Sequence, residues 1–148
     1  MSWESEYVTI VPDVTREEIW TAWADVDSWN RWDLDLEFTT LEGAFAKGTW
    51  FVLRPKGGPK VRIQLTEVVP LEGYTDLTRF PGARMWGIHT MRDTDRGLAL
   101  RTCIRVEGPL GFIWRKIVAE GVANGMAKQT NALVNYVQAQ RIRETSHA

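Results

Sequence analysis

Residues 109–142 read PLGFIWRKIVAEGVANGMAKQTNALVNYVQAQRI. At about 100° per residue, Trp114, Val118, Val122, Gly125, Gln129, Leu133 and Tyr136 fall on a single stripe. The stretch therefore predicts one long amphipathic helix from Pro109 to Ile142, with Pro109 suited to its first turn. Two glycines disturb an otherwise ordinary pattern. Gly125 lies on the stripe and Gly121 at its edge, one turn earlier. A glycine inside a helix costs about 1 kcal/mol relative to alanine. A buried glutamine also costs stability unless it is hydrogen-bonded. A helix that only closed a core would use alanine and leucine at these places. The pattern thus predicts a helix that covers a sheet yet leaves room beneath it, and that room is the expected ligand cavity.

The rest of the chain supplies the sheet. Trp3–Val11 alternates in polarity and predicts the first strand, stopped by Pro12. Thr15 and Glu18 form a capping-box pattern for a helix over Arg16–Ala24. Asp25–Trp32 predicts a second short helix, with Asp27 or Ser28 as its cap. Six further strands follow over 34–41, 48–54, 60–69, 74–80, 85–92 and 98–107. They are separated by turn signals such as Pro55-Lys56-Gly57-Gly58-Pro59, Pro81-Gly82 and Thr94-Asp95-Arg96-Gly97. Their short links make them antiparallel. The expectation is an α+β fold: a seven-stranded antiparallel sheet, two short helices between strands one and two, and a long C-terminal helix as its only cover.

Bulk properties exclude several classes. The chain has 148 residues, 44% of them hydrophobic and 25% charged, which suits one domain over 1–148. Its net charge of -1 argues against a nucleic-acid partner, since such domains carry a basic excess. Arg79, Arg84, Arg92, Arg96, Arg101 and Arg105 alternate with apolar residues and read as the solvated side of strands. A single cysteine, Cys103, leaves no disulfide framework and fits a reducing, cytoplasmic setting. No signal-peptide pattern and no apolar run of about 20 residues is present, so neither export nor membrane insertion is expected. Two histidines and one cysteine argue against the usual zinc sites. No phosphate loop, dinucleotide fingerprint or Ser-His-Asp order occurs, so no cofactor is expected.

Several short motifs occur at the element boundaries: Trp29-Asn30-Arg31-Trp32-Asp33, Gly48-Thr49-Trp50, Glu67-Val68-Val69-Pro70, Phe80-Pro81-Gly82-Ala83 and Gly108-Pro109-Leu110. With the element order, they make the chain resemble the SRPBCC (START-like, helix-grip) superfamily, and in particular its polyketide cyclase/dehydrase-like branch. The resemblance implies a curved sheet gripping the helix around a deep apolar pocket. It leaves activity open, because the superfamily contains carriers, receptors and cyclases.

The candidate chemistry follows from strand register. A symmetric hairpin at Asp95-Arg96 sets Met91 opposite Leu100 and His89 opposite Thr102. His89 then points into the pocket. The same reasoning at Pro81-Gly82 sets Tyr74 opposite His89, with Asp76 and Thr78 on the same side. A phenol, a carboxylate and an imidazole together can enolise a ketone, polarise a carbonyl or remove water. The cost of this register is that Leu77, Trp86 and Ile88 face outward, which could mark a homodimer surface. Gln129 is the expected polar contact from the helix, since its amide both donates and accepts. Thr102, Met91, Gly121 and Gly125 border the pocket in this reading. Trp29, Trp32 and Phe51 supply its walls, and Trp20 and Trp23 wedge the first helix onto the sheet. Asn124, Lys128, Asp33 and Asp35 read as solvated charges or polar groups, and Cys103 as inert. Three functions fit. One is an enzyme that binds an aromatic or polycyclic small molecule and catalyses cofactor-independent cyclisation or dehydration through His89, Tyr74 and Asp76. Another is a non-catalytic carrier or sensor of a lipophilic ligand. The third is a stress-response or scaffold protein whose pocket is vestigial.

Overall fold

The computed structural model describes residues 2–147, with side chains to residue 143. Its seven strands are β1 (Ser2–Val11), β2 (Leu36–Leu41), β3 (Trp50–Pro55), β4 (Val61–Val69), β5 (Gly73–Phe80), β6 (Ala83–Thr94) and β7 (Gly97–Glu107). They form one antiparallel sheet in the order β1-β7-β6-β5-β4-β3-β2. Only β1 lies out of sequence order, beside β7. Between β1 and β2 come α1 (Arg16–Ala24) and a 3-10 segment, Val26–Arg31. The Thr15 capping box is complete: the Thr15 hydroxyl accepts from Glu18 N at 3.1 Å, and Glu18 Oε1 accepts from Thr15 N at 2.9 Å. Neither Asp27 nor Ser28 caps the second segment. Asp25 takes the cap position, and the Asp27 carboxylate instead accepts from Leu41 N at 2.7 Å, tying the segment to β2.

The C-terminal helix departs from the single straight rod that the sequence predicts. It is built as α2 (Gly111–Trp114), a π-helical turn (Arg115–Ala119), α3 (Glu120–Asn124) and α4 (Met126–His147). The breaks have local causes. Gly125 leaves helical geometry at φ -90° and ψ -4°, and its N–H is shared between Gly121 O at 3.3 Å and Val122 O at 3.1 Å. The π turn inserts extra backbone, which shifts the phase of everything after it. The buried stripe is therefore Ala119, Met126, Thr130, Leu133, Val134 and Val137, not the one counted at constant pitch. Val122 is 42% exposed and Gly121 stands open to solvent.

Two apolar clusters share the inner face of the sheet. The larger joins Ile19, Trp23 and Val26 from the first helical segments to Phe51, Leu65, Tyr74, Met91 and Leu100 on strands and Leu133 and Val137 on α4. The smaller joins Ile104 and Val106 to Ala119 and Met126, with Trp3, Tyr7, Met85 and Ala123 at its margin. Small side chains at 119 and 123 let this part of the helix approach β7 closely. Arg141 fastens the far end, with Nη2 2.6 Å from Glu18 Oε1 and Nη1 3.2 Å from Asp13 Oδ1.

The outward apolar set is real but mostly covered by its own neighbours. Leu77 pairs with Trp86, Trp86 with Arg105, and Ile88 with Cys103, so all share the outer face. Leu77 is only 5% exposed. The guanidiniums of Arg84 and Arg105 lie 5.3 and 5.5 Å from the Trp86 ring. Those two guanidiniums cover part of the ring.

Candidate functional site

The inner face of β5, β6 and β7 carries a belt of polar side chains between the two apolar clusters. Tyr74 stands opposite His89, and His89 opposite Thr102. Asp76 stands opposite Gly87, and Thr78 opposite Met85. This is the symmetric register expected from the two hairpins. Met91 is buried one position along, opposite Leu100.

Gly87 explains how a carboxylate fits there. A β-carbon at that position would lie 2.8 Å from Asp76 Oδ1, so only glycine leaves the carboxylate its place across β6. From it, Asp76 Oδ2 lies 3.8 Å from His89 Nε2. That distance is too long for a direct hydrogen bond and leaves the facing atoms available to a third group. The His89 ring stacks on Tyr74 with centroids 4.5 Å apart and planes at 14°. Trp23 meets both rings edge-on, at 5.3 Å from Tyr74 and 6.2 Å from His89. Phe45, from the β2–β3 hairpin, closes on Tyr74 at 5.3 Å.

Burial sets the protonation states. It pushes the Asp76 carboxyl up to about 7, against the pull of a backbone hydrogen bond from Gly87. It pushes the His89 imidazole down to about 4. It also holds the Tyr74 phenol well above its ordinary value, helped by the nearby Asp76 charge. Between about pH 4 and pH 7 the resting state is a carboxylic acid beside a neutral imidazole, with a phenol that stays protonated. The pair can donate a proton from one member and accept one at the other. Although deep in the protein, the Asp76 and His89 side chains keep 17% and 13% of their surface accessible. Space the size of a water molecule therefore reaches them.

Aromatic and aliphatic side chains occupy the space between the first helical segments, the sheet and α4. Trp23, Trp29, Phe51, Tyr74 and Leu133 are all buried and packed together. Two clefts, of about 290 and 330 Å³, lie at the ends of the sheet, and neither is lined by Asp76 or His89. Neither cleft is lined by Gly121 or Gly125. A β-carbon at Gly121 meets nothing within 4 Å, and one at Gly125 meets only carbonyls of its own helix. Gly125 sits at the break between α3 and α4.

The remaining expected residues form a second group. Trp29 joins Tyr74 at 6.2 Å, Phe51 at 5.3 Å and Trp32 at 6.4 Å. Trp29 Nε1 donates to Trp23 O at 3.1 Å. Gln129 Nε2 donates to Asp33 Oδ2 at 3.0 Å. Asp33 is buried rather than solvated, and its other oxygen accepts from Asp35 N at 3.1 Å. Lys128 does reach solvent, and lies 3.4 Å from Asp35. Asp33 and Gly87 escaped the sequence reading. The signal for Gly87 was a glycine in the middle of a strand pattern, where it usually marks a close approach. Asp33 had no local signal, because its partner is 96 residues away. Cys103 is buried on the outer face, and burial pushes its thiol up to about 11, which leaves it unreactive. Among the described residues no cluster of three or more His, Cys, Asp or Glu could hold a metal ion.

No protein-family profile matches this chain, and no curated protein matches it by sequence. Solved structures do. The chain is similar to norcoclaurine synthase from Thalictrum flavum, solved with dopamine and hydroxybenzaldehyde, at a TM-score of 0.72 and 12% identity, covering 94% of this chain and 88% of that one. It is similar to the di-domain ARO/CYC StfQ from the steffimycin biosynthetic pathway at a TM-score of 0.74 and 12% identity, over 95% of this chain and 52% of that one. It is also similar to Ara h 8.0201, at a TM-score of 0.72 and 15% identity, over 94% and 99% of the two chains. At these identities the likeness concerns architecture. Seven antiparallel strands and a long, bent C-terminal helix give this chain a helix-grip fold.

Proposed function

We propose that this single domain binds a small, largely apolar, aromatic or polycyclic molecule between sheet and helix and catalyses its cyclisation or dehydration without a cofactor. The observation that carries this reading is the Asp76–His89 couple: an acid and a base set 3.8 Å apart, deep in the protein, yet still partly accessible to water. A group kept only for packing would not need a glycine opposite it. The proton inventory suits elimination of water from a β-hydroxyketone. His89 Nε2 takes the proton from the carbon next to the carbonyl, the carbon–oxygen bond breaks, and the Asp76 carboxylic acid protonates the departing hydroxyl. Proton return from the imidazolium to the carboxylate restores the resting state. Tyr74 orients the imidazole through its stack and remains a phenol throughout. The known neighbours of this fold include an aromatase/cyclase and a norcoclaurine synthase, which supports an apolar aromatic substrate class.

Entry of such a molecule requires the helix to move, because the described interior is packed. The π turn and α3 meet the sheet through the small side chains Ala119 and Ala123, with Gly121 inside the segment and Gly125 at its end. That packing also favours a second reading, a carrier or sensor in which the polar belt only meets the ligand's few polar atoms. Turnover of 4-hydroxy-4-(2-naphthyl)butan-2-one, followed by the absorbance of its conjugated enone, separates the two. The enzyme reading expects a rate that falls on both sides of a plateau between about pH 4 and pH 7, set by His89 and Asp76. It also expects roughly a hundredfold or greater loss of kcat in His89→Gln. Binding with no acceleration over buffer supports the carrier. The lone buried cysteine fits the reducing, cytoplasmic setting proposed for either role, and among the described residues no helix is long and apolar enough to cross a membrane.

A further inference from the structure

We infer that the indole N–H of Trp32 is the anchor for a neutral carbonyl oxygen of the bound molecule, an inference that rests on the ligand-binding reading above. Trp32 is 8% exposed, and its Nε1 is buried with no acceptor among the described residues. Trp29, its buried neighbour, gives its N–H to Trp23 O, and the half-buried Trp114 gives its own to Pro81 O. A buried donor left unpaired is costly, and native proteins keep few of them. The indole N–H only donates, so what completes it must be an acceptor.

The surroundings define which acceptor. Trp32 belongs to the larger apolar cluster with Trp29, Leu36 and Phe51. Its chain neighbour Asp33 is buried, holding Gln129 Nε2 at 3.0 Å and Asp35 N at 3.1 Å. No buried cation accompanies it among the described contacts, since Lys128 pairs with Asp35 at the surface. With a buried carboxylate next in the chain and no buried cation beside it, the site suits a neutral ketone, aldehyde or quinone oxygen better than a carboxylate or phosphate. The structure also shows why Gln129, the residue expected to orient a carbonyl, is less suited: one of its two N–H groups is already committed to Asp33. Through Trp29, which touches both Trp32 and Tyr74, the anchor is joined to the Asp76–His89 belt by one continuous aromatic wall.

The test compares two probes of nearly equal shape, 2-acetylnaphthalene and 2-ethylnaphthalene, by isothermal titration calorimetry against the full chain and Trp32→Phe. The wild type is expected to bind the ketone about tenfold tighter, the worth of one net hydrogen bond, and Trp32→Phe to bind both alike. In ¹⁵N spectra of the wild type, the Trp32 indole proton should move downfield with the ketone and not with the hydrocarbon, a readout that does not depend on the variant folding. Equal affinities in the wild type, or a ketone preference that survives in Trp32→Phe, overturn the assignment while leaving ligand binding intact. Failure of the wild type to bind either probe overturns both the assignment and the ligand-binding reading beneath it.

Discussion

Replacing Asp76 by asparagine should make the protein more stable at high pH and leave it nearly unchanged at low pH. Burial raises the Asp76 carboxyl from 3.8 to about 7. Below pH 4 both the folded and the unfolded chain carry the protonated acid, so the group contributes no pH-dependent penalty there. As pH climbs from about 4 to about 7, the unfolded chain releases its proton and the folded chain retains it, so stability is lost across that window. The full loss applies above pH 7, where the carboxylate must ionise in place. At about 1.4 kcal/mol per tenfold change in proton affinity, this amounts to roughly 4 kcal/mol, and relaxation around the charge reduces it to about 2–4. His89 acts in the opposite sense. Its imidazole is lowered from 6.5 to about 4, so stability from it is present above pH 6.5 and fades as pH falls toward 4. The two trends oppose each other in the wild type between pH 4 and 6.5, which is why the variant is needed to separate them. Asparagine has the shape of the neutral acid and no charge to bury. Urea unfolding of both proteins at pH 4 and pH 8 should show a stability difference that grows in favour of Asp76→Asn by about 2–4 kcal/mol. A difference that stays constant, or a variant that is weaker at pH 8, would refute the argument. It would mean that Asp76 is ionised in the fold and held by a protonated His89.

Three other substitutions test the local accounts. Gly87→Ala should drive the Asp76 carboxylate from its place, costing about 1–3 kcal/mol by chemical denaturation, and Asp76→Ala in the same chain should recover most of that loss. Gln129→Leu leaves a buried carboxylate short of a donor, so it should cost about 1–3 kcal/mol, with Asp33→Asn in the same chain easing the penalty. Thr15→Ala removes half of the capping box and should lower stability by about 1 kcal/mol, with faster amide exchange confined to α1.

Where the sequence was legible, the determinants were local. The strand alternation, the turn dipeptides and the Thr15–Glu18 box each depend on neighbours within a few residues, and the strands and α1 lie where those patterns put them. Register was legible too, because short hairpins leave little freedom to slip. The C-terminal helix was misread for a physical reason. Counting at constant pitch assumes an unbroken helix, and the π turn and Gly125 reset the phase between Trp114 and Gln129. Asp33, Trp32 and Gln129 required the fold itself, because a buried carboxylate and an unmatched indole N–H are defined by partners far along the chain.

The account turns on whether a small apolar molecule comes to rest against the Asp76–His89 couple. Imidazole carbon and nitrogen resonances of His89, followed at pH 7 while 2-acetylnaphthalene is titrated to saturation, address this directly. The account predicts a large, saturable change at His89 with the ring remaining neutral, and a companion change at Tyr74, its stacking partner. A binding isotherm that saturates while both residues stay unmoved would place the molecule elsewhere and contradict the account.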